Sequence, residues 1–90
     1  MLQIKFTNQF KKDLKLIQRQ GKDVKKIFSV VEKIANGEPL ELKYRDHPLT
    51  GNYKGSRECH IEPDLLLIYT VIDEVMVLSL LRAGSHSDLF

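Results

Sequence analysis

The segment Arg57-Glu58-Cys59-His60-Ile61-Glu62-Pro63-Asp64-Leu65-Leu66-Leu67-Ile68-Tyr69 constrains the fold more than any other. From Leu65 to Val71 there is no charged residue, and turn residues bound the run. Such a run fits a central strand covered on both faces. Glu62-Pro63 reads as a tight connection from the strand before it. His60 and Asp64 flank that connection, which predicts that they lie close in space.

The remaining elements arrange themselves around this hairpin. Leu2, Ile4 and Phe6 alternate and predict a short first strand. Thr7-Asn8 can cap a helix, because side-chain oxygens accept from free backbone N–H groups. Phe10, Leu14 and Ile17 follow at helical spacing, which predicts a helix over 9–20. Gly21 stops it, and Asp23 can cap a second helix. Val24, Ile27, Phe28, Val31, Ile34 and Ala35 form an apolar stripe that ends at Asn36-Gly37, ahead of Pro39. A connection this short makes the two helices antiparallel neighbours. Residues 37–52 read mostly as loop. Further strands are expected over 53–60, 65–72 and 75–82. The tail from Ala83 to Phe90 reads as irregular or as one short helical turn. The expected architecture is α+β, in the order β-α-α-β-β-β. Its four-stranded, largely antiparallel sheet would carry the two-helix hairpin on one face.

Ninety residues suit a single domain with a small core. With 42% hydrophobic and 29% charged residues, the chain has a globular composition rather than a disordered one. No apolar run reaches the roughly 18–20 residues of a membrane span, and the first residues do not resemble a signal peptide. One cysteine, Cys59, cannot form an internal disulfide, as expected in a reducing cytoplasm.

The net charge of +2 conceals an asymmetry. Residues 1–45 hold 11 basic and 5 acidic side chains, whereas residues 46–90 hold 3 and 7. Lys11, Lys15, Arg19, Lys22 and Lys26 can form a basic stripe along the helical hairpin. That pattern suits phosphate backbones or an acidic protein partner. No aromatic residue interleaves with these lysines, so the stripe itself is no base-stacking platform.

Register draws the chemistry together. A two-residue turn at Asp73-Glu74 pairs Ile72 with Val75 and Leu65 with Arg82. A loop over 61–64 pairs His60 with Leu65. His60, Leu65 and Arg82 then share one row and one face, with Asp64 at the edge and His86 shortly beyond. Histidines, with an unperturbed pKa of about 6.5, can supply both a general base and a general acid. Arginine can neutralise charge on a phosphate. Together they suit metal-free cleavage of RNA by its own 2′-hydroxyl. The wide spacing of His47, His60 and His86 predicts no metal site. Cys59 and His60 point to opposite faces of a strand and do not suit a nucleophilic pair.

Three segments carry a family resemblance: Tyr44-Arg45-Asp46-His47-Pro48-Leu49-Thr50-Gly51, the hairpin quoted above, and Leu81-Arg82-Ala83-Gly84-Ser85-His86-Ser87-Asp88-Leu89-Phe90. In this order they resemble the YafQ branch of the RelE/ParE toxin superfamily. The resemblance implies the toxin of a type II toxin–antitoxin system. Such a toxin is an mRNA interferase that usually cuts mRNA in the ribosomal A site, and a small, often acidic antitoxin neutralises it. By motif, the family's catalytic positions fall on His47, His60, Asp64, Arg82 and His86, and Phe90 is the terminal aromatic that would stack on a base. The roles implied are acid–base work by His86 and His60 with Asp64 assisting, phosphate stabilisation by Arg82, and substrate positioning or shared proton transfer by His47. Leu65 stands where some members have a substrate-stacking Trp. Lys11, Lys15 and Arg19 offer an rRNA-facing surface. Two rival expectations are a gyrase-directed toxin on the same fold and a non-catalytic module that binds RNA or a partner.

Overall fold

The computed structural model describes residues 1–90. The first strand, β1 (Gln3–Phe6), leads into α1 (Asn8–Arg19) and α2 (Val24–Ala35). Both helices begin where their caps predict. Thr7 Oγ1 accepts from the Phe10 N–H at 3.0 Å, and Asp23 Oδ1 accepts from the Lys25 N–H at 2.9 Å. Each satisfies a donor that the first helical turn leaves free. Gly21 and Gly37 follow the helix ends with φ of 77° and 75°, a left-handed geometry that only glycine adopts without strain.

Four more strands follow: β2 (His47–Pro48), β3 (Arg57–Glu62), β4 (Leu65–Ile72) and β5 (Val77–Gly84). The sheet order is β1-β5-β4-β3-β2. Only the β1–β5 pair is parallel. A short helix, α3 (His86–Leu89), closes the chain. The sheet therefore has five strands rather than the expected four, and there are three helices rather than two. β2 escapes pattern reading because two residues, one of them a proline, show no alternation.

α1 and α2 cover one face of the sheet. Phe10, Ile17, Ile27 and Val31 meet Leu65, Leu67, Leu78 and Leu80 there in the main core. Fully burying each such side chain contributes roughly 1.5–3 kcal/mol. On the opposite face Leu66 and Ile68 pack beneath Leu89 of α3, with Leu49 and Tyr53 alongside. β4 is thus buried on both faces from Leu65 to Tyr69, as its composition predicts. Val71 and Ile72, at the far end of the strand, are exposed.

The register differs from expectation in both hairpins. His60 pairs with Leu66 rather than Leu65, and Ile61 forms a bulge before Glu62 meets Leu65. The β4–β5 connection spans 73–76 instead of two residues, with Met76 left-handed at φ 55°. A two-residue turn favours Gly or Asn, which this loop lacks. A second irregularity lies between Ile68 and Tyr69, so that Ile68 pairs with Arg82. The row His60–Leu65–Arg82 therefore does not form. Rows run instead through His60, Leu66 and Gly84, and through Glu58, Ile68 and Arg82. At the rows of His60 and Arg82 the offsets are one and three residues, both odd, so the two changes of face cancel between them. Leu65 alone moves to the helix-covered side.

Candidate active site

β2 sets His47 opposite Glu58 on β3, and His60 lies two residues along β3 on the same face. The Glu58 carboxylate is 7% exposed and stands between the two rings. Its Oε1 is 3.5 Å from His47 Nε2 and 3.5 Å from His60 Nε2. The ring centroids are 6.2 Å apart. His47 Nδ1 lies 2.6 Å from the Arg45 carbonyl oxygen. With Nδ1 donating to that carbonyl, Nε2 turns toward Glu58 and His60.

The loop that delivers His47 is itself held. Arg45 sits at φ 49°, a left-handed setting that is uncommon outside glycine. The Asp46 carboxylate accepts from the Tyr69 hydroxyl at 2.7 Å and from Arg57 Nε at 3.3 Å. Burial and the bond to Asp46 push the Tyr69 hydroxyl pKa well above its ordinary value. The bond to Asp46 likewise holds Arg57 charged.

Arg82 reaches α1. Its Nε donates to Asp13 Oδ2 at 2.8 Å and its Nη2 to Asp13 Oδ1 at 3.2 Å. The Ala83 N–H also donates to Asp13 Oδ2, at 3.0 Å. These bonds raise the Arg82 pKa further. Desolvation opposes them, and the Asp13 charge and the Tyr53 hydroxyl reinforce them. Tyr53 stands edge-on to Phe90 with centroids 5.8 Å apart, and Phe90 lies 5.1 Å from the His86 ring. Tyr53, Phe90 and His86 thus form a run of neighbouring rings.

His86 opens α3 and is exposed. Gly84, two residues before it, shares a row with His60. Two strand spacings separate those backbones by about 10 Å. Because Leu89 packs on Leu66 and Ile68, α3 sits on the face that carries His47, Glu58 and His60.

Other expected residues lie elsewhere. Leu65 is 1% exposed within the helix-side core, so it offers no surface to a substrate. Asp64 lies in the exposed β3–β4 turn and makes no hydrogen bond or ion pair with a histidine. Its carbonyl accepts from Lys22 Nζ at 3.3 Å. Lys11, Lys15 and Arg19 recur every four residues along the exposed face of α1, in the layer on the other side of the sheet. Cys59 is fully buried, and burial pushes its thiol pKa up to about 12, with the Asp46 and Glu58 charges adding to the effect.

Neither Glu58 nor Asp13 stands out as a site residue in the sequence. Asp13 did leave a signal, as a charge beside the apolar Phe10–Leu14–Ile17 stripe. Glu58 shares a strand face with His60, but its meeting with His47 depends on the unforeseen β2. The histidines are widely spaced in sequence, yet two of them, His47 and His60, come together around Glu58 in space. Ligand atoms of His47, Glu58 and His60 all lie within 4.8 Å of one another, a set able to hold a cation.

Known proteins match the chain over nearly its whole length. The family model described as the bacterial toxin of type II toxin–antitoxin system, YafQ, matches residues 2–90. The Escherichia coli K12 mRNA interferase toxin YafQ is 41% identical over 88 residues, covering 97% of this chain and 94% of that protein. A metal-bound toxin from Helicobacter pylori superposes with a TM-score of 0.93 at 48% identity, covering all of both chains. YafQ in the E. coli DinJ–YafQ complex gives a TM-score of 0.88 at 41% identity, covering 100% of this chain and 99% of that one.

Proposed function

The chain belongs to the YafQ family of bacterial type II toxin–antitoxin toxins, and from that premise we propose that it is an endoribonuclease that cleaves mRNA on the ribosome. The observation that carries the reading is the pair of imidazoles, His47 and His60, each 3.5 Å from one buried carboxylate on the face that α3 roofs with His86. Cleavage by the 2′-hydroxyl needs a base to remove its proton and an acid to protonate the departing 5′ oxygen. His60 and His86 take these two parts. Glu58, too buried to meet a substrate, orients the His47 and His60 rings from 3.5 Å. Arg82, aimed by Asp13, neutralises the phosphate as negative charge builds on it. Exposed Phe90 stacks on a base beside His86. The exposed cations of α1 meet ribosomal RNA through its phosphates.

The partner is a cognate antitoxin, by analogy with the DinJ–YafQ complex. An acidic segment of it would lie on the basic helices or cover a sheet edge. The relative solved as a metal-bound toxin raises the question of a cation. His47 Nε2, Glu58 Oε1 and His60 Nε2 fit that role, because the Arg45 carbonyl turns His47 Nε2 toward the other two, as an outer partner of a metal ligand does. A cation held there would occupy lone pairs that proton transfer requires.

Primer extension on mRNA incubated with the pure protein, with and without ribosomes, tests the reading. Wild-type protein is expected to give discrete cuts, more strongly with ribosomes, and His86→Ala and Arg82→Ala are expected to give none while remaining folded. Full cutting by both variants overturns the assigned site. Gyrase inhibition without any RNA cutting overturns the activity.

A further inference from the structure

A cleft of about 630 Å³ opens beside His60, between α2, the 3-10 turn Leu42–Tyr44 and the end of β3. Ser29 and Val30 of α2, Lys43, Tyr44 and Arg45, and His60 near the end of β3 line it. Its size is that of a site for one small ligand. β2 pairs only with Arg57 and Glu58, so the outer edge of β3 is unpaired from Cys59 onward and the cleft follows it.

The lining has the composition of a single-strand nucleotide site. Lys43, in the lining, and Lys33, outside it, place ammonium groups 5.2 and 5.8 Å from the centroid of the half-buried Tyr44 ring. The stripe on α1 lacks an aromatic partner, and here the fold brings one among cations. Lys26 is paired with Glu62, and exposed Glu41 lies 3.8 Å from Lys33 and 3.9 Å from Lys43. Exposed Arg45 has no acidic partner. Its carbonyl, at the same time, holds His47 Nδ1. One residue thus joins the cleft to the histidine pair.

We propose that this cleft binds a nucleotide of the RNA strand next to the scissile phosphate, its base stacked on Tyr44 and its phosphate held by Arg45 and Lys43. Stacking on a ring is tolerant of base identity, and the bidentate guanidinium suits a phosphate. With Tyr53 and Phe90 lining a second recess of about 380 Å³ on the α3 side, the strand is gripped on both sides of the histidines.

The inference rests on the endoribonuclease reading, and the test separates the two. A single-stranded RNA oligonucleotide with 2′-deoxy substitution, which cannot be cut, is titrated into the full-length protein. Tyr44→Phe is expected to bind as wild type does. Tyr44→Leu is expected to bind about tenfold more weakly and, on cleavable RNA, to raise KM with kcat largely kept. Arg45→Gln and Lys43→Gln are each expected to reduce the slope of log affinity against log salt by about one. His86→Ala is expected to keep its affinity and lose cleavage. Unchanged affinity and KM in Tyr44→Leu, alongside an inactive His86→Ala, overturn the cleft and leave the endoribonuclease standing. Should Tyr44→Leu fail to fold, unchanged salt slopes in both cation variants have the same force. An acidic peptide that binds the cleft while the oligonucleotide does not also overturns it. Wild-type protein that neither binds nor cuts RNA removes both readings.

Discussion

Arg82 and Asp13, 69 residues apart in sequence, are joined by two side-chain hydrogen bonds of 2.8 and 3.2 Å. Asp13 is 6% exposed and carries a third bond, from the Ala83 N–H. α1 therefore fixes both the guanidinium proposed to meet the phosphate and the backbone just before α3. The same pair links the stability of the fold to the aim of the site.

Removing the carboxylate leaves a half-buried guanidinium without its partner. Breaking such a pair costs about 3 kcal/mol. Asp13→Ala is expected to lower the urea midpoint accordingly. Asp13→Asn, which keeps the shape and one acceptor, is expected to cost less stability yet still lower kcat about tenfold, because Arg82 is no longer gripped by charge. Cleavage by Asp13→Asn at the wild-type rate would reduce the pair to a structural role.

How much of this was legible varies along the chain. Thr7, Gly21, Asp23 and Asn36-Gly37 state the helix limits to within a residue, because capping is local chemistry. The β rows were less accessible, since register depends on loop length and each residue of error turns every side chain over. The shared face of His60 and Arg82 emerged only because two offsets cancelled, and Leu65 shows the single flip that did not. Glu58 stayed hidden because a two-residue strand with no sequence pattern brings His47 to it.

Glu58 makes the next prediction. Its carboxylate spans two histidines and is too buried to touch RNA. Glu58→Gln keeps its volume and removes its charge. The expected result is a loss of about 10²-fold in kcat, the scale of one acid–base contribution, with KM close to wild type. Single-turnover cleavage reads this directly. A change confined to KM would mean that the carboxylate shapes binding rather than proton transfer.

Cys59 gives a pH dependence with a definite sign. In the fold its thiol titrates near about 12, raised from a reference of 9.0. Above pH 9 the unfolded chain releases this proton and the folded chain keeps it. The folded state then binds more protons, so stability is complete below pH 9 and declines as pH rises toward about 12. Tyr69, raised from a reference of 10.0, adds its own loss only above pH 10. Urea unfolding between pH 9 and 10 is therefore expected to show a decline that Cys59→Ala flattens. The folded thiol is also expected to resist alkylation at pH 8 until urea exposes it. Rapid alkylation of native protein would contradict the burial on which this rests.

The cluster of His47, Glu58 and His60 supplies a last prediction. Zinc accepts imidazole nitrogen and carboxylate oxygen at about 2.0–2.2 Å, and these three ligand atoms lie within 4.8 Å of each other, so one ion can sit among them. A ligand that binds only the folded state adds about 2.7 kcal/mol at a hundredfold excess over its Kd. Zinc is therefore expected to raise the melting temperature of wild-type protein, and His60→Gln to abolish the rise. Because the ion takes the nitrogen lone pairs that proton transfer needs, zinc is also expected to suppress RNA cleavage, and a chelator to restore it. Cleavage that increases with zinc would assign the cluster to metal-assisted chemistry and withdraw the acid–base role from His60. A melting shift that persists in His60→Gln would place the ion elsewhere.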